Sequence, residues 1–177
     1  MTRRAAIGTV ALLATAALVG PQSPAAADSG TVSLPRGDAP ATIDITRLSV
    51  VNGERRFSMR VEVRDLQTVG EFTFYYWGGV HESPPARSLL ITVTSVDGVA
   101  RARFHVCGRE DCVRAKCRGL RVHWDAAADR LGVSAPQRCY PPRGADAGPP
   151  DMGRFSADSY VGQAVDYAQA QLLLARG

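Results

Sequence analysis

The sequence predicts an all-β fold: an antiparallel β-sandwich of about seven short strands with a loose or short-helical C-terminal tail. Three observations carry this. Apolar residues recur with period two, most cleanly at Phe57, Met59, Val61 and Val63, which alternate with Arg56, Ser58, Arg60 and Glu62. The dipeptides Asn52-Gly53 and Asp97-Gly98, whose residues tolerate positive φ, fall between such runs and signal two-residue hairpin turns. The run Ser88–Val96 is β-branched and apolar on both faces, as a central strand requires.

Taken in order, residues 1–27 follow the plan of a secretory signal. Arg3 and Arg4 precede an apolar stretch from Ala5 to Val19, and Ala25-Ala26-Ala27 offers a cleavage site before Asp28. The stretch is short and Ala-rich for a membrane span, so the expectation is release after cleavage, with no stable membrane insertion. Arg3-Arg4 hints at a twin-arginine signal that the following residues do not complete. Residues 28–40, rich in Pro, Gly and Ser, read as a flexible leader, and residues 41–140 as the sandwich domain.

The domain opens with Ile43 and Ile45 on one face, then shifts phase to Leu48 and Val50, which predicts a bulge near Thr46. The strand Arg56–Val63 follows. Next comes an aromatic strand, with Phe72, Phe74 and Tyr76 on one face and Thr73, Tyr75 and Trp77 on the other. Residues 81–87 (HESPPAR) form a Pro-braced loop. Beyond Ser88–Val96, the alternating run 99–106 completes a hairpin, and the last two strands, GLRVHWD and RLGVSAP, flank Ala126–Ala128. Residues 141–177 read as a Pro/Gly-rich linker and a tail, in which Ala164, Ala168 and Leu172 have the spacing of a short helix.

All four cysteines fall after residue 106, and a signal of export makes them candidates for disulfides. Of three possible connectivities, hairpin register favours Cys107–Cys112, which flank a four-residue turn, and Cys117–Cys139, which lie symmetrically about residue 128. A zinc site built from these cysteines with His105 and His123 has poor spacing, so no metal is expected from them.

No GxSxG, HExxH or P-loop pattern occurs. His81, His105 and His123 have no partner fixed by sequence, and a triad from His123, Asp125 and a serine would need geometry to support it. Asp44, Asp65, Asp97, Asp125 and Asp129 lie at strand ends and turns; loop aspartates on a sandwich can gather calcium, but turn formation accounts for them more simply. The expectation is therefore no catalytic residues and no cofactor. The formal charge of +4, about +2 once Arg3 and Arg4 are removed, is too small to argue for nucleic acid. The surface feature singled out is aromatic: Tyr75 and Trp77, with Trp124 on another strand, as a platform for an extracellular glycan or protein.

The segments DITRLSVVNG (44–53), RRFSMRVEVRDL (55–66) and LGVSAPQRCYPP (131–142) resemble a group of small exported actinobacterial proteins of unknown function. More distantly, the two opening strands look like the start of jelly-roll sandwiches that include carbohydrate-binding modules, a likeness that transfers no binding residue. The expected protein is secreted, monomeric, disulfide-stapled and non-enzymatic, acting by binding. The alternatives are a secreted hydrolase with a loop-built site at His81, His123 or Asp125, and an exported protease inhibitor presenting residues 81–87.

Overall fold

The computed structural model describes residues 27–78, 88–108, 111–140 and 152–177. Eleven strands run through them: β1 (Asp28–Ser33), β2 (Ile45–Asn52), β3 (Arg56–Val63), β4 (Gly70–Gly78), β5 (Ser88–Val96), β6 (Val99–Cys107), β7 (Cys112–Arg114), β8 (Arg121–Asp125), β9 (Arg130–Pro136), β10 (Met152–Val161) and β11 (Ala164–Ala175). They form two antiparallel sheets. Sheet A has the order β1-β2-β3-β9-β8, and sheet B the order β11-β10-β4-β5-β6-β7. The two sheets pack face to face as a β-sandwich, with β1 and β2 over β11 at one edge and β8 beside β6 at the other.

The core is the inward set that alternation predicts. Phe57 of sheet A meets Tyr76 of sheet B edge-on at 4.8 Å between ring centroids, and Tyr76 stacks on Phe155 at 4.6 Å. Leu48, Val61, Phe72, Phe74, Leu89, Val93 and Leu131 fill the rest and are fully enclosed. Gly153 lies where any Cβ would strike the rings of Tyr76 and Phe155, so the aromatic stack requires a glycine there.

The seven anticipated strands are present as β2–β6, β8 and β9, and four more join them. β1 pairs with the open edge of β2, so half of the expected flexible leader is an edge strand. The tail differs most. Residues 152–175 form a long β-hairpin that extends sheet B beside β4, in place of a loose or helical segment. The spacing of Ala164, Ala168 and Leu172 does not separate the two readings, because residues four apart share a face in a strand as well as in a helix. Ala168 is buried in the sandwich and Leu172 packs against its core.

Two turns show how local signals resolve. Val96 pairs with Val99, and both Asp97 (φ 51°) and Gly98 (φ 79°) take positive φ, the geometry of a two-residue hairpin turn. Asn52-Gly53 does not form one. Asn52 is the last paired residue of β2, opposite Phe57, and the turn is the four-residue Gly53–Arg56, closed by Gly53 N–H donating to Arg56 O. Asn52 is instead fully buried. Its Nδ2 donates to Leu174 O, and its Oδ1 accepts from Gln137 Nε2 at 2.7 Å. The bulge between Ile45 and Arg47 falls at Thr46, where the phase shift places it.

Disulfides join Cys107 to Cys112 and Cys117 to Cys139. The first links directly opposed residues of β6 and β7. The second does not lie in strand register. The β8–β9 ladder, with Val122 opposite Val133, is offset by one residue from the register that would oppose Cys117 to Cys139. Both cysteines sit beyond the ladder, where the hairpin opens into a loop and a 3-10 turn (Gln137–Cys139), with their Cα atoms 5.3 Å apart. Residues 1–26 and 81–87, and with them the expected secretory signal, His81 and the inhibitory loop, lie outside the described residues.

Candidate functional site

Period-two alternation sends every second residue of each sheet outward, and these outer faces carry the candidate chemistry. On sheet B, Tyr75 and Trp77 of β4 stack nearly parallel (4°) at 5.2 Å, so each ring already occupies one face of the other. Both are half-buried. Burial, with hydrogen bonds to Tyr160 and Asp158, pushes the Tyr75 hydroxyl far above its ordinary pKa. Trp124 does not join them. It lies on β8 of the other sheet, turned inward, edge-on to Phe72 at 5.6 Å, and its Nε1 donates to Gln67 O at 2.9 Å. The expected three-ring platform is therefore a stacked pair with a distant structural tryptophan.

Across the outer face of sheet A, the register sets Val51, Ser58, Ser134 and Arg121 in one row and Ser49, Arg60, Gly132 and His123 in the next. Small residues at Ser58, Ser134 and Gly132, with Arg60, Arg121 and His123 standing beside them, make a trough of about 440 Å³. Gly132 is needed there, since a Cβ would approach Met59 O to 2.9 Å. Arg60 and Arg121 pair with no carboxylate among the described residues. Beside them Arg56 is held by Ser134 O, Ser134 Oγ and Gly119 O. Its pKa is lowered by burial first, and then by the cations Arg121 and Arg138.

A second hollow, about 800 Å³, is formed by β6, β7 and the segment leading into β8, and is lined by Arg103, Arg114, Lys116 and Arg118 with Ala102 and Leu120. The segment 112–117, which carries Arg114 and Lys116, runs between the two disulfides, and Arg118 follows it directly. Cys107–Cys112 fixes its start and Cys117–Cys139 its end, leaving Arg114, Lys116 and Arg118 exposed. Arg138 Nη2 donates to Arg118 O and so braces the same segment. No carboxylate lines either hollow among the described residues. A cationic belt thus wraps one edge of the sandwich, from Arg60 and Arg121 to Arg114 and Arg103.

The other candidates are less productive. His123 Nε2 stands 3.9 Å from Asp125 Oδ2, beyond hydrogen-bond range, and its side chain is 71% exposed. Asp125 spends its Oδ1 capping the turn at Ala128 N. That is not an oriented base, since a catalytic histidine needs a bonded partner to fix its tautomer. His105 lies on β6, opposite Leu90 and Arg114. Of the five aspartates, four do turn work. Asp97 and Asp129 take positive φ, Asp125 caps a 3-10 turn, and Asp65 accepts from Gln67 Nε2. Asp44 is different: it is wholly buried.

Sequence reasoning missed the belt because its members are scattered over β3, β6, β7, β8 and a loop, and a small net charge conceals their segregation. The one available signal was the run Arg114–Arg121, four cations in eight residues with no acid. No family model, no curated protein and no solved structure matches this chain.

Proposed function

We propose that the protein is an exported, non-enzymatic binding module that holds an acidic glycan, a chain bearing carboxylate or sulfate groups, along the cationic belt. The observation that carries this is the lining of the two hollows: seven basic or histidine side chains and no acid. Guanidinium groups present paired donors that match carboxylate and sulfate geometry. The hydroxyls of Ser49, Ser58 and Ser134 in the trough suit a hydroxyl-rich chain. No exposed aromatic ring stands in either hollow, which disfavours nucleic acid, whose unpaired bases seek stacking partners. The two disulfides support an oxidising destination, and they hold the basic segment in place before any ligand arrives.

The test is calorimetric titration with a polyuronate oligomer and with a neutral glucan of equal length. The polyuronate binds, more weakly as salt rises, and the glucan does not. The triple variant R114A/K116A/R118A loses about 10- to 100-fold in affinity, from roughly 0.5–1 kcal/mol per exposed ion pair. Equal binding of both glycans, or a triple variant that binds like the parent, would refute the reading. Tight binding of single-stranded DNA without polyuronate binding would reassign the belt.

A further inference from the structure

At the edge of the sandwich opposite the belt, three carboxylates converge. Asp38 comes from the β1–β2 connection, Asp44 precedes β2, and Asp166 lies on β11, with one oxygen of each within 4.8 Å of the others. Asp44 is 0% exposed and Asp166 8%. Gathering like charges away from water is costly unless a cation compensates. Among the described residues the only counter-charge in contact is Arg64, whose Nε lies 3.2 Å from Asp44 Oδ2. That same oxygen accepts from Gly37 N–H, and Asp166 Oδ2 accepts from Ile45 N–H at 2.6 Å. Asp44 Oδ1 is buried and has no partner. A fully enclosed carboxylate oxygen without a donor, beside two further carboxylates, is the arrangement a bound cation resolves.

We infer that Asp38, Asp44 and Asp166 form a calcium site that ties the β1–β2 connection to β11 and so locks the C-terminal hairpin onto sheet A. The donors are all hard oxygens, without nitrogen or sulfur, which selects calcium-like ions over zinc or copper. Water fills the remaining positions of a six- to eight-coordinate shell. The site is independent of the glycan reading, because it needs no ligand other than the ion.

The experiment is thermal unfolding of the disulfide-intact protein after EDTA treatment, with and without CaCl₂, on the parent and on D38N and D166N. With calcium about a hundredfold above its dissociation constant, the parent melts about 5–10 °C higher. Both variants lose that response. In EDTA, D166N melts at or above the parent, since it removes a repulsive charge while an asparagine Oδ1 still accepts from Ile45 N–H. Asp38 is exposed, so D38N tests the ion without disturbing the core. An unchanged melting temperature in calcium, or a calcium response that survives in both variants, would overturn the inference. A D166N protein that melts well below the parent in EDTA would equally overturn it, because the charge of Asp166 would then stabilise the ion-free fold and would not be an uncompensated repulsion.

Discussion

Replacing Gln137 with leucine should cost the fold about 3 kcal/mol, far more than a typical substitution at a loop position. Gln137 is 2% exposed and sits in the 3-10 turn that ends at Cys139. Its Nε2 donates to Asn52 Oδ1 at 2.7 Å and to Gly53 O at 2.9 Å, and its Oε1 accepts from Tyr76 Oη at 3.4 Å. Asn52 in turn donates to Leu174 O. One side chain therefore connects the β2–β3 turn, β4 of the opposite sheet and, through Asn52, the C-terminal hairpin. Leucine keeps the volume but orphans the wholly buried Asn52 Oδ1, at about 2–3 kcal/mol, and the partly buried Gly53 O, at about 1 kcal/mol. Urea unfolding followed by tryptophan fluorescence should show the midpoint lowered by about 1–3 M. The double variant N52L/Q137L should cost at least about 1 kcal/mol less than the sum of the single changes, because the second removes the orphan the first creates. A midpoint shift under about 0.3 M, or strict additivity, would refute the view that these residues act as one buried network.

Removing the disulfide between Cys117 and Cys139, which closes a span of 22 residues, should cost about 3 kcal/mol and lower the melting temperature by about 6–12 °C in C117S/C139S; a drop under about 2 °C would show that the ladder alone holds the β8–β9 end. The same variant should bind polyuronate more weakly, because the basic segment is then anchored at one end only. Burial raises the pKa of Tyr75, Tyr76 and Tyr160. The folded state keeps these protons above pH ~10, where the unfolded chain gives them up, so stability is full below that pH and falls as pH rises beyond it. Ultraviolet titration of tyrosinate should show these three ionising only with unfolding, and ionisation of all five tyrosines near the ordinary pKa in a still-folded protein would contradict it.

The sandwich was legible because its central strands alternate strictly, and a strand with one wet face has no other stable disposition. What escaped was set by partners distant in sequence. β1 is a strand because β2 leaves an edge open, and its own residues, mostly exposed, give no apolar period. In β10 and β11 the small residues hide the apolar period: Gly153 must leave room for the rings of Tyr76 and Phe155, and Ala157 and Ala168 are buried without a large side chain to signal it. Asn52-Gly53 has the composition of a tight turn, but the amide of Asn52 is worth more as a buried partner for Gln137 than its tolerance of positive φ is worth in a two-residue loop. The cysteine pairs were reachable from sequence, though the second closes the flared end of the hairpin and not a register pair. The site was the least legible part. Aromatic residues drew attention to Tyr75, Trp77 and Trp124, and packing claims Trp124 outright and much of the other two. The basic residues of the belt come from separate stretches of the sequence, and only the fold brings them to the lining of the two hollows.

The most direct measurement of the central claim is a residue-by-residue map of where a polyuronate oligomer touches the folded protein, from backbone amide shifts in a ¹⁵N-labelled sample at low salt. Shifts should concentrate at Ser58, Arg60, Arg121 and Ser134 on sheet A and at Arg114, Lys116 and Arg118 in the disulfide-anchored segment, all fading as salt is added. Shifts centred on Tyr75 and Trp77 of sheet B, or no shifts at saturating oligomer, would contradict it.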